Sequence, residues 1–465
     1  MPCRWILIAF TLCTLPCNVP AWAAGCRAME SSAVGVETGT DLLPQRCDTP
    51  GKCRIFDMAG RQIGAVGDYA LAGTSSEGLV AVHAAETDLQ GYMDAAGTWV
   101  VPPKFRRAGP FCEGRAAVQV VGNRWFYIDR SGNQIGDTWD GAEAFTEGRG
   151  MVSVFKGGDT WLHGFVDATG RLVIPARFPA ARLFSEGRAA VRVDSDKWGY
   201  IDRDGTVVIA PRFGEAELFH AGRAVIRTNQ GWAKNSGLID ESGKLVIAAR
   251  YEQIIRVGDA DLWRAGSANS QRQGKDEPPI LSRIYDRDGR LVSNQVFEHV
   301  GWFSEGLIDV CRAGKCGFID VQGKPAVPLQ FKYVDNFEEG LAAVTPNGDT
   351  YGFIDRAGKF VIPASFDSLG PNKDHFSAGP FVDGMAPAGC QGHWGFIDKQ
   401  GAWTIAPVYL FARAFANGFA EVQIKTGTGH VRPDGTAIDF GPDEVDVVNL
   451  PERPCGAPLA KPAAK

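Results

Sequence analysis

One phrase recurs along the whole chain, and a chain that restates itself folds as an array of like units before it is anything else. Lys197-Trp198-Gly199-Tyr200-Ile201-Asp202-Arg203-Asp204-Gly205 returns as His393-Trp394-Gly395-Phe396-Ile397-Asp398-Lys399-Gln400-Gly401. The Asp of this phrase falls at Asp57, Asp94, Asp129, Asp167, Asp202, Asp240, Asp286, Asp320, Asp355 and Asp398. A decayed eleventh copy runs from Gly429 to Gly435. The intervals between the ten aspartates are 37, 35, 38, 35, 38, 46, 34, 35 and 43 residues. A period held across most of 465 residues excludes the roughly three unrelated domains that length alone suggests.

Three segments recur in fixed order: the Trp-Gly phrase ending in Asp-x-x-Gly, an apolar triplet such as Val173-Ile174-Pro175, and a run such as Phe184-Ser185-Glu186-Gly187-Arg188-Ala189-Ala190-Val191. Each apolar stretch is short, β-branched or aromatic, and bounded by Gly, Pro or Asp, so each reads as a strand. Asp202 to Gly205 fits a type I turn in which Asp caps the backbone and Gly takes the positive φ. Phe353 and Ile354 are adjacent and both apolar, as are Val361 and Ile362, so these strands need cover on both faces. A unit of about 35 residues cannot supply that cover alone, and its neighbours must. The Gly of each Trp-Gly pair is expected to let the next layer come close.

The succession Trp-Gly-Tyr/Phe-Ile-Asp, Val-Ile-Pro and Phe-x-Glu-Gly-Leu/Arg-Ala-x-Val resembles the WG-repeat (KWG-repeat) family of bacterial proteins, over about residues 50 to 440. The resemblance implies a β-rich array with an interaction role and no defined catalytic residues. Gln90, His163, Ser236, Ser282, Cys316 and Tyr351 stand at the Trp position in copies that depart from the pattern, and Arg283-Ile284-Tyr285 replaces Gly-Phe-Ile. The expected fold is all-β: three-stranded antiparallel meanders stacked into an open curved array or superhelix. Closed propeller-like rings are the alternative, less favoured because about eleven units exceed the four to eight blades of an ordinary propeller.

Four segments are expected: a signal peptide over 1–24, an N-terminal lead-in over 25–48, the array over 49–440 and a loose Pro- and Ala-rich tail over 441–465. Arg4, the apolar run Trp5 to Leu15 and Ala21-Trp22-Ala23 supply charged region, apolar core and small-residue cleavage site. The run is short of the roughly 18 to 20 apolar residues that span a bilayer. The mature chain is therefore expected to be periplasmic or secreted. Ala23-Ala24-Gly25-Cys26 also resembles a lipoprotein cleavage site, which would anchor the chain through Cys26. Eight cysteines follow the leader, an even number suited to an oxidising compartment. Cys47 with Cys53, and Cys311 with Cys316, each close a short turn, and Cys53 and Cys316 take the Trp position; a cross-strand disulfide there would staple the hairpin. Cys26, Cys112, Cys390 and Cys455 can pair in three ways.

The formal charge is −6 with dispersed basic residues, which offers no footprint for nucleic acid. The turn aspartates could suggest calcium, but most copies supply one carboxylate where a calcium loop needs several more oxygens. The histidines, His163 and His393 included, show no metal-ligand spacing, and no nucleophile elbow, phosphate loop or dinucleotide fingerprint occurs. No cofactor, metal or catalytic residue is expected. Arg115, Arg149, Arg188 and Arg223 occupy one position in four successive units, so stacking would align them into a ladder able to grip an anionic polymer or an acidic protein face. Glu113, Glu147 and Glu186 two residues earlier favour a solvated salt-bridge ladder instead. Leu307, Leu341, Met385 and Phe419 fill the same position later, and an apolar partner surface follows if it faces solvent. Trp139, Trp161, Trp263 and Trp302 lie off the phrase and could stack on sugar rings. Polar insertions near Gly274 and Asp374 widen the two longest intervals and are where partner specificity is expected. The expected partner is another envelope or extracellular protein, with polysaccharide as the alternative.

Overall fold

The computed structural model describes residues 43, 45–49, 52–57, 60–65, 67–73, 75–193, 196–228, 235–267, 281–367, 379–445 and 455. Within them the chain forms eleven small antiparallel sheets and one 3-10 turn, Pro442–Glu444. We number the sheets as blades 1 to 11 in chain order. Blades 2 to 6 span 69–105, 107–139, 141–178, 180–213 and 215–251; blades 7 to 11 span 253–286, 299–331, 333–367, 385–409 and 411–431. Blade 1 comprises Gln45–Thr49, Lys52–Phe56 and Gln62–Ile63, so the sheets begin inside the segment expected to be a lead-in.

Seven blades have four strands in simple sequential order rather than the expected three. Blade 5 shows how the phrase builds one. Its strands are Ala180–Ala181, Ala189–Arg192, Trp198–Ile201 and Val207–Phe213. The first connection is Glu186-Gly187, both left-handed at φ 52° and 75°, which permits a two-residue hairpin turn. The last is the Asp turn. Gly205 N–H donates to Asp202 O, while Asp202 Oδ1 accepts from the amides of Asp204 and Thr206. All ten turn aspartates accept backbone amides through Oδ1 in this way. The Trp-Gly glycine acts within its own blade, not between layers as expected. A Cβ on Gly199 would lie 2.5 Å from Ile209 O, because the fourth strand crosses over it where the register slips between Trp198 and Tyr200.

Apolar side chains on both faces of each sheet meet those of the adjacent sheets, so the core is divided into layers between successive blades. Ala190 and Tyr200 of blade 5, for example, pack with Ala216, Phe219 and Ile226 of blade 6. Backbones come closest at the first strand: that of blade 4 contacts the first three strands of blade 3, and that of blade 9 the first three of blade 8. The sheets therefore converge at their first strands and splay at their fourth. Long cations bridge the outer gap, with Lys104, Arg177 and Arg212 donating to the turn-glycine carbonyls Gly132 O, Gly205 O and Gly243 O of the following blade. The fourth strands carry prolines such as Pro175, Pro328 and Pro363, which cannot donate to a further strand and so protect the edge.

The array closes. Gln45–Thr49 of blade 1 lies against Gly427–Val431 of blade 11, making an eleven-bladed ring rather than the open superhelix favoured from the sequence. Arg46, only 4% exposed, donates to Asp439 O at 2.7 Å and Thr426 Oγ1 at 2.8 Å and pairs with Glu444. Hydrogen bonds from Arg46 and Thr426 lower the Glu444 carboxyl pKa to about 2. The segment expected to be a loose tail thus contributes Glu444 to the closure, and its Cys455 is disulfide-bonded to Cys390. Unit count misled because closure depends on the wedge angle between sheets, which side-chain contacts set. Among the described residues no helix is long and apolar enough to cross a membrane.

Glu444→Ala strips the anion from a buried guanidinium and is expected to lower stability by about 3 kcal/mol, read by urea unfolding. A carboxylate with a lowered folded pKa contributes stability above its unfolded pKa and loses it in acid. The difference between wild type and Glu444→Ala should therefore shrink as pH falls from about 4.5 to 2.

Candidate interaction surfaces

Sequential antiparallel strands give each blade two unlike ends. The Glu-Gly turn and the Asp turn share one, here the turn end. The connection between second and third strands, and the links from blade to blade, lie at the other, the loop end.

At the turn end the repeated polar residues reach into the next blade. Glu113 Oε2 accepts from Gly148 N at 2.8 Å, and Glu147 Oε2 accepts from Gly187 N at 2.8 Å and from Arg203. Glu186 accepts from the amides of Ala221 and Gly222, Glu305 from Gly340, and Glu339 from Gly384. The four ladder arginines do the same. Arg115 donates to Ala168 O, Arg149 to Arg203 O and Arg223 to Arg287 O, while Arg188 lies 3.7 Å from Glu241. Each target is the residue after the next blade's turn aspartate. Arg115 and Arg188 also stack on Phe145 and Phe219 of that blade. The Glu and Arg of one unit are therefore not partners of each other, as a salt-bridge ladder would require, but parallel stitches to the following blade. All four arginines are half-buried. Leu307, Leu341 and Met385 at the same position are 7%, 8% and 9% exposed, so the apolar partner surface considered there is interior at these three, while Phe419 is half-buried.

Blades 8 and 9 hold an acidic series that runs from Glu305, Glu338 and Glu339 at this end to Asp309 and Asp335 within the strands. Burial raises the Asp335 carboxyl pKa to about 6, with Asp309 adding to the rise. Glu338 is buried and raised to about 7 by burial and by Glu305, Asp335 and Glu339. Asp309 accepts from Trp302 N at 3.0 Å and lies 3.0 Å from His299 Nε2.

The loop end is where blades differ. In blade 4 the hairpin Arg149–Gly157 and Thr160–Val166 carries Phe155 and Trp161, 44% and 42% exposed with ring centroids 5.0 Å apart. Asp140 braces it by accepting from Phe155 N at 2.9 Å and pairing with Arg124. Of the other off-phrase tryptophans, Trp263 is 2% exposed and is not a platform, and Trp139 and Trp302 are half-buried. The insertions around Gly274 and Asp374 lie outside the described residues, but the strand ends that flank them, Ser267, Leu281 and Asp367, are at the loop end. Sequence reasoning did not single out Phe155; its signal was the extra hairpin length before Trp161. His163 Nδ1 sits 2.9 Å from Ser153 Oγ, and burial lowers its pKa, while His393 is half-buried beside a turn.

Cys311 and Cys316 face each other across a hairpin of this end and form the expected disulfide. Cys53 is disulfide-bonded and faces Cys47 in the strand register. Cys390–Cys455 decides one pair among those left open, and Cys112 is also disulfide-bonded. Cys26 lies outside the described residues.

For Glu338, a folded pKa above the unfolded one means that the native state binds the extra proton. Stability is then highest below the usual carboxylate range and is lost as pH rises through about 7. Glu338→Gln should flatten this alkaline loss, read as the change in Tm between mildly acidic and mildly alkaline buffer; an unchanged slope would remove the assignment.

A family model described as "WG containing repeat" matches residues 91–125, 164–196, 198–232, 237–257, 317–348, 351–389 and 394–425. No curated protein matches the chain. Among solved structures it is similar to BamB from Moraxella catarrhalis, at 10% identity over 60% of this chain and 92% of that one, with a TM-score of 0.31. It is similar also to the tricorn protease, at 14% identity over 71% of this chain and 39% of that one, with a TM-score of 0.21. Scores this low inform neither fold nor function. The seven family matches each begin at or near a Trp-Gly position and most run on into the Glu-Gly strand of the following blade, and on them the chain belongs to the WG-repeat family.

Proposed function

We propose that this WG-repeat ring is an exported, non-enzymatic scaffold that mediates protein–protein interaction in the bacterial envelope or outside the cell. The observation that carries the reading is the contrast between the two ends of the ring. At the turn end the repeated Glu and Arg side chains and turn aspartates are engaged by backbone groups of the ring itself. Departures from the repeat gather at the loop end, where Phe155 and Trp161 are exposed and the long insertions leave the sheets. Exposed aromatic residues on a rigid hairpin are the kind that anchor protein interfaces. Export is supported by the leader-like first 24 residues and by disulfides, which persist in oxidising compartments. Anchoring through a lipidated Cys26 is the variant of the same reading.

A second reading, binding of cell-wall or exported polysaccharide, is favoured by one observation: Trp161 and Phe155 present aromatic faces of the kind on which sugar rings stack. Mild crosslinking of the mature chain in its own envelope, followed by mass spectrometry, separates the two. A stoichiometric protein partner is expected, lost in the Phe155→Ala/Trp161→Ala double variant while the far-UV spectrum is unchanged. Polysaccharide recovered in place of protein would replace the first reading by the second, and recovery unaffected by the double substitution would remove the hairpin from both.

A further inference from the structure

The cysteines that follow the leader can be matched one by one. Cys311 is bonded to Cys316, and Cys390 to Cys455. Cys53 is disulfide-bonded and stands opposite Cys47 in the strand register, as Cys311 stands opposite Cys316. Cys112 is disulfide-bonded as well, and these six are already matched among themselves. Beyond residue 24 the sequence holds one more cysteine, Cys26.

The place of Cys112 in the fold agrees with a partner from its own chain. It ends the first strand of blade 3 immediately before the Glu113-Gly114 turn, where Ser76, Ser185 and Ser304 stand in other blades. Each of those serines donates to a phenylalanine carbonyl of the following blade. A thiol is a weak donor and a poor substitute for that hydroxyl. Cys112 is 0% exposed and packs with Ala117, Tyr127 and Phe145, which closes its sulfur to attack by a second protein molecule.

Reach permits the bond. Leu43 packs with Ile55 of blade 1 and Val80 of blade 2, so the chain enters the ring on the side of blade 1 that faces blade 3. Gln45–Thr49 pairs with Lys52–Phe56, which runs into the Asp57 turn, so Leu43 lies at the turn end, as Cys112 does. Blades 1 and 3 are two inter-sheet spacings of about 10 Å apart. Seventeen residues separate Cys26 from Leu43, and an extended chain of that length spans up to about 60 Å.

We infer that Cys112 is disulfide-bonded to Cys26, which ties the start of the mature chain to the turn end of blade 3 and leaves no thiol for a lipid anchor. Joining the two thiols releases two protons and two electrons, which the disulfide of a thiol–disulfide oxidoreductase takes up by exchange. A lipoprotein anchor is a thioether on the same sulfur of Cys26, and one sulfur cannot carry both bonds. The inference rests on the proposed export, since such a disulfide persists only in an oxidising compartment. It chooses between the two variants of that reading: the ring is a free exported protein, tethered at its turn end to its own N-terminus, with the loop end left for a partner.

The test is peptide mapping of the whole mature chain, alkylated and digested with trypsin without reduction. Residues 25–27 are expected to emerge joined to residues 108–115, and to separate on reduction. In Cys26→Ser, thiol titration in guanidinium should find one thiol per chain, that of Cys112, against none in the wild type; the reading is taken on unfolded chain, so a poorly folding variant still reports. The inference is overturned if Cys26 carries a diacylglyceryl thioether, if either cysteine is recovered alkylated, if Cys112 is joined to any other peptide, or if Cys26→Ser exposes no thiol. Should that happen with Cys311–Cys316 and Cys390–Cys455 intact, the export reading stands and this pairing alone falls. Residues 1–24 still attached and every cysteine alkylated would remove both.

Discussion

An aromatic ring of one blade set edge-on against a phenylalanine of the next is the contact on which the rest of the ring depends. Tyr92 with Phe111, Tyr127 with Phe145, Phe165 with Phe184 and Tyr200 with Phe219 all have centroids 4.6 to 4.9 Å apart. Such pairs add about 0.5–1.5 kcal/mol to the burial of their surface. Burial would leave the phenolic hydroxyls unsatisfied, but the blade spacing set by the ring pair brings carbonyls to them. Tyr92 donates to Gly109 O, Tyr127 to Glu143 O and Tyr200 to Glu217 O, each in the next blade. The serine that precedes the Glu-Gly turn continues the series, with Ser76 donating to Phe111 O and Ser185 to Phe219 O at 2.6 Å.

The same contact explains why the sequence repeat and the blade do not coincide. A family match such as residues 198–232 begins on the third strand of blade 5 and ends beyond the second strand of blade 6. It therefore contains both members of the Tyr200–Phe219 pair, as well as Trp198, the Asp202 turn and the Glu-bearing strand start. What recurs in the sequence is one interface, together with the two half-blades that meet there.

Much of this was legible in the residues. The ten turn aspartates could be read because the Asx turn is local, needing only Asp, two intervening residues and a Gly that tolerates φ near 80°. Cys311 and Cys316 could be paired because a hairpin of that length puts them face to face. The extra strand escaped notice because a register shift interrupts its alternation, as between Ala142 and Phe145 or between Ala216 and Phe219. The destinations of Arg115 and Glu113 escaped for a different reason. Their partners, Ala168 O and Gly148 N, are backbone atoms, and no residue type in the sequence advertises a backbone acceptor. Leu307 could not be told from a surface leucine, since its burial is decided by the adjoining blade.

By itself the sequence determined the all-β character, the number of units, their turns and the need of each sheet for a neighbour on both faces, because these follow from local chemistry repeated at a period. Only the tertiary structure decided that the last neighbour of blade 11 is blade 1. That outcome depends on the angle between sheets, accumulated over every interface, and on Arg46 meeting Glu444 across a separation of 398 residues. Tertiary structure also decided which end of the ring is occupied with holding itself together and which is free, since that follows from where side chains reach and not from what they are.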